Sequence, residues 1–234
     1  MRVGFFQFDV QFANKAKNIE AIQRAIRTSD LDIILLPELC TTGCLFLSKQ
    51  QAWDLAEEIP QGHTTQQLIK LAKEQATYLI VGILEKSGEK FYNTAIILGP
   101  EGFIGKHRKV HLSPSDKYLF SAGKHFQTYN ILGKNIGILL CYDIWFREAN
   151  NTLVEQGVEL IFNPSNFCGE DSIETIIQQT KENSVYTIVA NRLGIDHEVD
   201  TGVYFIGSSM IVSPRGEVLL NAKRETIIDS AYLT

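Results

Sequence analysis

Short, almost wholly apolar runs alternate with segments of helical periodicity along the chain, and this alternation confines it to a layered α/β arrangement. Residues 3–8 read as a strand. Residues 14–29 follow with Ile19, Ile22, Ala25 and Ile26 on one helical side, and 31–36 form an apolar run ended by Pro37 and Glu38. Helical spacing returns at 64–76, with Leu68, Ile69, Leu71 and Ala72 together. Residues 78–84 and 93–98 read as strands joined by a polar turn at 85–90. The second half repeats the manner, with strands at 136–140, 158–162, 186–190 and 205–212. Its helices fall at 146–156, ended by Gly157, and at 172–183, and Pro214-Arg215-Gly216 marks a turn. A strand covered on both faces reads as a continuous apolar run, so these strands belong inside covered sheets. No linker, low-complexity tract or fixed-period repeat interrupts the sequence, and one α/β domain over 1–234 is expected.

Charge and cysteine usage exclude several roles. The net charge is −5, and the densest basic stretch, Lys106-His107-Arg108-Lys109, is too short to serve a phosphate backbone, so no nucleic acid is expected. No run approaches the roughly 20 apolar residues of a membrane span, and the first nine residues lack the core of a signal peptide. Cys40, Cys44, Cys141 and Cys168 form neither a Cys-x-x-Cys pair nor a zinc framework nor a disulfide scaffold. The expectations are no metal, no cofactor, no membrane and a reducing, cytoplasmic setting.

In α/β sheets functional residues gather beyond the carboxyl ends of strands. Cys141 follows Gly137-Ile138-Leu139-Leu140, where nearby backbone N–H groups lower a thiol pKa and hold an oxyanion. Its bland alternative is a small buried hydrophobe. Glu38 follows an apolar run, where a carboxylate is costly unless paired or exposed. Lys109 lies in a basic stretch whose alternation turns Lys106 and Arg108 to a different surface. A thiol, a carboxylate and an ammonium together suffice for acyl transfer. Asp143 and Glu148 brace the turn after Cys141, and Glu182 and Asn183 make structural hydrogen bonds at a helix end. His107 and His111 lack partners for a metal.

The chain resembles the nitrilase superfamily of carbon–nitrogen hydrolases. The resemblance lies in Pro37-Glu38-Leu39 with Thr42-Gly43, Tyr92-Asn93-Thr94-Ala95, Gly105, Arg108-Lys109-Val110-His111-Leu112 and Gly123. It continues through Gly137, Cys141-Tyr142-Asp143, Phe146 with Glu148, Gly157, Asn163-Pro164-Ser165, Glu182-Asn183, Asn191, Gly194 and Gly207-Ser208-Ser209. The resemblance implies a four-layer αββα sandwich, assembled as a homodimer or higher homo-oligomer. It implies a catalytic set of Glu38, Lys109 and Cys141, with the Tyr142 N–H completing an oxyanion hole. The family's second glutamate has Asp116 nearest its place, one methylene shorter and effective only if its loop moves inward. The family's tail beyond the last strand is reduced here to residues 227–234, which implies a smaller or differently built dimer.

Nitrile-hydrolysing relatives follow the cysteine with Trp-Glu. Tyr142-Asp143 resembles the amidase and carbamoylase branches, which implies a small-molecule amide or N-carbamoyl substrate. Trp145 stands where many carboxylate-handling relatives carry arginine, with Arg147 two residues on. Trp145, Asn166 and Phe167 are expected to line the pocket, and Cys40 and Cys44 flank the Glu38 loop. Two other readings stay open: a nitrilase, and a non-catalytic protein that uses the fold for binding.

Overall fold

The computed structural model describes residues 1–196 and 203–233, and two six-stranded sheets form its centre. The first half supplies β1 (Arg2–Gln7), α1 (Lys15–Arg27), β2 (Ile33–Leu35), α2 (Lys49–Leu55), α3 (His63–Gln75), β3 (Tyr78–Ser87), β4 (Lys90–Gly99) and β5 (Gly102–Arg108). The second supplies β6 (Thr128–Ile131), β7 (Lys134–Ile138), α4 (Arg147–Glu155), β8 (Leu160–Pro164), α5 (Asp171–Asn183) and β9 (Tyr186–Ala190). Five short strands close the described chain: β10 (Leu193–Gly194), β11 (Phe205–Ile206), β12 (Met210–Val212), β13 (Val218–Asn221) and β14 (Ile227–Tyr232). One sheet runs β14-β1-β2-β3-β4-β5 and the other β13-β12-β9-β8-β7-β6. Each has a parallel centre, β1-β2-β3 and β7-β8-β9, with antiparallel flanks.

Side-chain parity makes the layers. Val3, Phe5, Ile33 and Leu35 point inward and meet Ile136, Ile138, Leu160, Phe162 and Ile188 of the second sheet. Their neighbours Phe6 and Ile34 point outward, onto Ile19, Ile22 and Ile26 of α1 and Leu68, Leu71 and Ala72 of α3. Each such buried side chain contributes about 1.5–3 kcal/mol relative to exposure. On the far side Leu153 of α4 packs over Gly137 and Ile176 of α5 joins the same core. The result is the expected four-layer αββα sandwich.

Several boundaries differ from expectation, each for a physical reason. The polar stretch 85–90 is mostly strand: Ser87 pairs with Lys90, leaving only Gly88 and Glu89 in the turn. Glu85 looked like a turn residue, but Thr94, Lys106 and Arg108 all donate to its buried carboxylate. The run 205–212 is two strands, not one. Gly207 and Ser208 both adopt left-handed φ, so β11 pairs with β10 while β12 joins β9. The segment 227–232, read as a remnant tail, is β14, paired antiparallel with β1 at the sheet edge.

The sandwich brings three strand ends together, and two devices lock them. Gly82 of β3 lies against the chain just after β2; a Cβ there would stand 2.4 Å from the Pro37 oxygen and 2.5 Å from the Glu38 Cα. The second device is Asp143, fully buried, which ties the end of β5 to the turn after β7. Its Oδ1 accepts from the Val110 N–H (3.2 Å), the His111 N–H (2.7 Å) and His111 Nδ1 (3.1 Å). Its Oδ2 takes His107 Nε2 (3.1 Å) and the Leu140 N–H (3.1 Å). Burial alone would raise the Asp143 pKa, but the bonds from His107 and His111 overcome it and hold the carboxyl down to about 2.

Gly82→Ala is expected to destabilise by about 2 kcal/mol through overpacking, read as a lower urea midpoint, whereas Gly169→Ala, with open space around it, stays within about 0.5 kcal/mol. Asp143 has a depressed folded pKa, so its contribution is present above the ordinary value of 3.8 and drains as pH falls toward about 2. Asp143→Asn is therefore expected to cost about 3 kcal/mol at pH 6. The gap from the unsubstituted protein should narrow in urea titrations below pH 4.

Candidate active site

Three chain segments deliver the reactive groups. Glu38 emerges from β2 after Pro37 and is 3% exposed; the left-handed Leu39 that follows turns the chain back, so the Cys40 N–H reaches the Gly82 oxygen. Lys109 directly follows β5, its N–H donating to the Asn93 oxygen at 2.8 Å and its carbonyl accepting from the Gly123 N–H at 2.7 Å. Cys141 opens a short 3-10 turn, Cys141–Trp145, at φ +49, a conformation that costs a non-glycine residue about 1–3 kcal/mol. Asn163 Nδ2 donates to the carbonyls of Leu139 and Cys141 and braces that turn.

The groups converge on one ammonium. Lys109 Nζ lies 2.8 Å from Glu38 Oε1 and 2.8 Å from Asp116 Oδ2. Glu38 Oε1 also accepts from Asn93 Nδ2 at 2.7 Å, and Cys141 lines the same cavity as this carboxylate. Asp116 reaches Lys109 despite its short side chain because its loop folds inward: Ser113 N–H donates to Asp116 Oδ2 at 2.9 Å, and Asp116 N–H to Ser113 Oγ at 3.2 Å.

Burial and charge set the protonation states. Burial opposes the Lys109 charge, but Glu38, Cys141 and Asp116 outweigh it and raise its pKa well above the usual lysine value. Burial raises the Glu38 pKa, with Lys109 pulling the other way. Burial and the adjacent Glu38 charge push the Cys141 thiol well up, and neither Lys109 nor the Asn166 N–H cancels them. The sequence led us to expect a thiol made acidic by backbone N–H groups. Desolvation and the carboxylate dominate instead. The resting site is thus a neutral thiol, a carboxylate and an ammonium.

A cavity of about 620 Å³ opens onto these groups. Tyr142, Trp145, Asn166 and Phe167 all line it, as expected, together with Cys44 and Cys168. Cys40 does not: it is buried, its thiol turned to the Gly82 oxygen. Sequence reasoning gave no role to Asn93, although a polar residue between Phe91 and Ile96 in an otherwise apolar strand is a visible signal. It also missed Arg192 and Asp196, a fully buried pair. The Arg192 guanidinium bonds Asp196 Oδ1 and the Val10 oxygen, while Asp196 Oδ2 holds the N–H groups of Cys44 (2.7 Å) and Leu45 (2.8 Å) on the pocket wall. Among the described residues no His, Cys, Asp and Glu cluster is arranged for a metal, and no helix is long and apolar enough to cross a membrane.

Comparison with known proteins gives this geometry a family. A family model described as carbon-nitrogen hydrolase matches residues 7–231. The chain is 33% identical over 223 residues to a nitrilase of Pyrococcus abyssi, an alignment covering 94% of this chain and 84% of that one. It is 30% identical over 232 residues to an (R)-stereoselective amidase of a Pseudomonas species, covering 97% and 82%. Among solved structures, Nit3 of Saccharomyces cerevisiae, a member of branch 10 of the nitrilase superfamily, matches with a TM-score of 0.86 at 25% identity over 99% of this chain and 89% of that one. The chain belongs to the carbon–nitrogen hydrolase family, within the nitrilase superfamily.

Proposed function

We propose that the protein hydrolyses a non-peptide carbon–nitrogen bond in a small linear amide or N-carbamoyl compound through a thioester on Cys141. The observation that carries this reading is that the buried Lys109 ammonium, paired with Glu38 at 2.8 Å, and the Cys141 thiol open onto one cavity. Glu38 takes the thiol proton as the sulfur attacks the carbonyl carbon. Lys109 Nζ and the Tyr142 N–H stabilise the tetrahedral oxyanion. Protonated Glu38 then gives its proton to the departing nitrogen, and ammonia or an amine leaves. Water, deprotonated by the same carboxylate, attacks the thioester, and the acid departs as Cys141 regains its proton. Asp116 and Asn93 act as positioning residues, the first on Lys109 and the second on Glu38.

A nitrile is the second reading, since the Pyrococcus abyssi relative at 33% identity is a nitrilase and the same three groups can add a thiol to a nitrile carbon. Feeding the amide and the nitrile of one acid to the protein and to Cys141→Ala, with ammonia as readout, separates the two. Ammonia from the amide alone, lost in Cys141→Ala, supports the amidase reading; ammonia from the nitrile alone replaces it.

Because Glu38 is raised above its ordinary 4.5, the acid limb of kcat/KM is expected above that pH. Glu38→Gln should lower kcat by about 1000-fold, since a general base supplies 10²–10⁴-fold. The same change removes the charge that raises the Cys141 thiol, so iodoacetamide should alkylate Cys141 faster at neutral pH. Lys109→Ala removes an opposing charge and should slow that alkylation, mapped by mass spectrometry. Turnover retained in Glu38→Gln would exclude the carboxylate as base.

A further inference from the structure

We infer that this pocket takes an amide whose acyl group is uncharged and apolar, aromatic or branched, and that it rejects an acyl group carrying a second carboxylate. The inference rests on the hydrolytic reading above and narrows its substrate class. Its ground is the charge of the cavity. Among the described lining residues the acidic and basic side chains are Glu38, Asp116 and Lys109, and neither arginine nor histidine is present. Lys109 is committed to both carboxylates at 2.8 Å each, so the cluster carries one net negative charge while the thiol is neutral.

Most cations nearby in sequence or fold are also committed, and Lys117, between the lining residues Asp116 and Tyr118, is exposed and outside the lining. Lys106 and Arg108 pair with Glu85, Arg147 with Glu182, and Arg192 with Asp196. A substrate carboxylate beside Cys141 would find no free cation among the described lining residues and would face two acidic side chains. That arrangement discriminates by repulsion as well as by lack of contact.

The walls fit the opposite kind of group. Phe46, Leu119, Phe120, Phe167 and Phe205 line the cavity, and Leu47, Tyr118 and Trp145 stand at it with 75%, 65% and 38% exposure. One neutral polar contact is left open. Both side-chain amide atoms of Asn166 are buried without a hydrogen-bond partner, and among the described lining residues no other side chain is left so. A buried amide lacking partners is costly, and a substrate amide, with its own donor and acceptor, satisfies both atoms without bringing charge. Asn166 lines the same cavity as Cys141, which puts this residue within the reaction chamber.

Three amides that share one ethylene spacer test the inference: succinamate, which ends in carboxylate; isocaproamide, which ends in an isopropyl group of similar shape; and hydrocinnamamide, which ends in phenyl. Ammonia release by the full chain gives kcat/KM, and calorimetry on Cys141→Ala gives binding without turnover. Isocaproamide and hydrocinnamamide are expected to exceed succinamate by at least about 100-fold in kcat/KM, with binding ranked the same way. Trp145→Arg, at a partly exposed lining position, should raise succinamate turnover by about tenfold and lower that of hydrocinnamamide. Succinamate bound and turned over as well as isocaproamide overturns the inference and leaves the hydrolase reading intact. If no amide is turned over, the hydrolase reading falls; the rank of binding to Cys141→Ala still decides the charge question. Neutral amides that fail to bind there overturn the inference.

Discussion

A lysine ammonium that is almost wholly buried is the constraint around which this molecule is arranged. An isolated charge at the Lys109 position would be prohibitively expensive, and what makes it tolerable is a carboxylate on each side, Glu38 and Asp116. Each carboxylate comes from a different segment, so the ion cluster fixes the relative position of the β2 end, the β5 end and the loop that follows. The cluster in turn needs a rigid frame, because Coulomb attraction in a dry site rewards short distances and punishes unpaired charge. The two packed sheets and Gly82, which lets β3 approach the Glu38 backbone, provide that frame.

A second anion carries the frame across to the nucleophile. Asp143 and Asp116 are chemically identical, yet their surroundings give them opposite duties. Asp116 stands beside the ammonium and lines the cavity, whereas Asp143 is sealed away and spends its oxygens on backbone N–H groups and two imidazoles. Those backbone bonds fall on Val110, His111 and Leu140, the residues next to Lys109 and Cys141. The backbone beside Lys109 is thereby tied to the backbone beside Cys141 through one carboxylate. His111 extends the brace: Asp143 raises its pKa, Glu148 bonds its other nitrogen at 2.8 Å, and it stacks on Phe146.

Much of this was legible in the sequence, and the part that was not has a common cause. Apolar runs such as 31–36 and 136–140 announce strands covered on both faces, and the acid and the cysteine sit where such strands end. That Glu38 and Lys109 meet was implied only by the family resemblance, since the stretch around Lys109 reads by itself as a basic loop. Glu85 was misread because a polar residue signals a turn unless its partners are known, and those partners lie on neighbouring strands. Arg192 and Asp196 were invisible for a related reason: a charged pair four residues apart reads as surface, and only the tertiary fold closes it off. The raised thiol of Cys141 was also out of reach, since it depends on how completely water is excluded rather than on which residues flank the cysteine.

The protonation states bear on how the proposed reaction starts from a resting thiol that is hard to ionise. In the proposed reaction the proton leaving sulfur moves to Glu38 while negative charge appears on the substrate oxygen. The total charge of the cluster therefore stays constant, and only its place changes, from the carboxylate to the oxyanion. Lys109 flanks the first position and is proposed to contact the second, so the stabilising charge need not move as the reaction proceeds. A preformed thiolate would have held the same negative charge on sulfur, where Lys109 would stabilise the ground state and blunt attack. Burial raises the thiol pKa and so keeps the charge on Glu38 until the carbonyl arrives. On this view Asp116 serves to keep Lys109 charged and in place while Glu38 is neutral, the one moment when the ammonium would otherwise lose its partner.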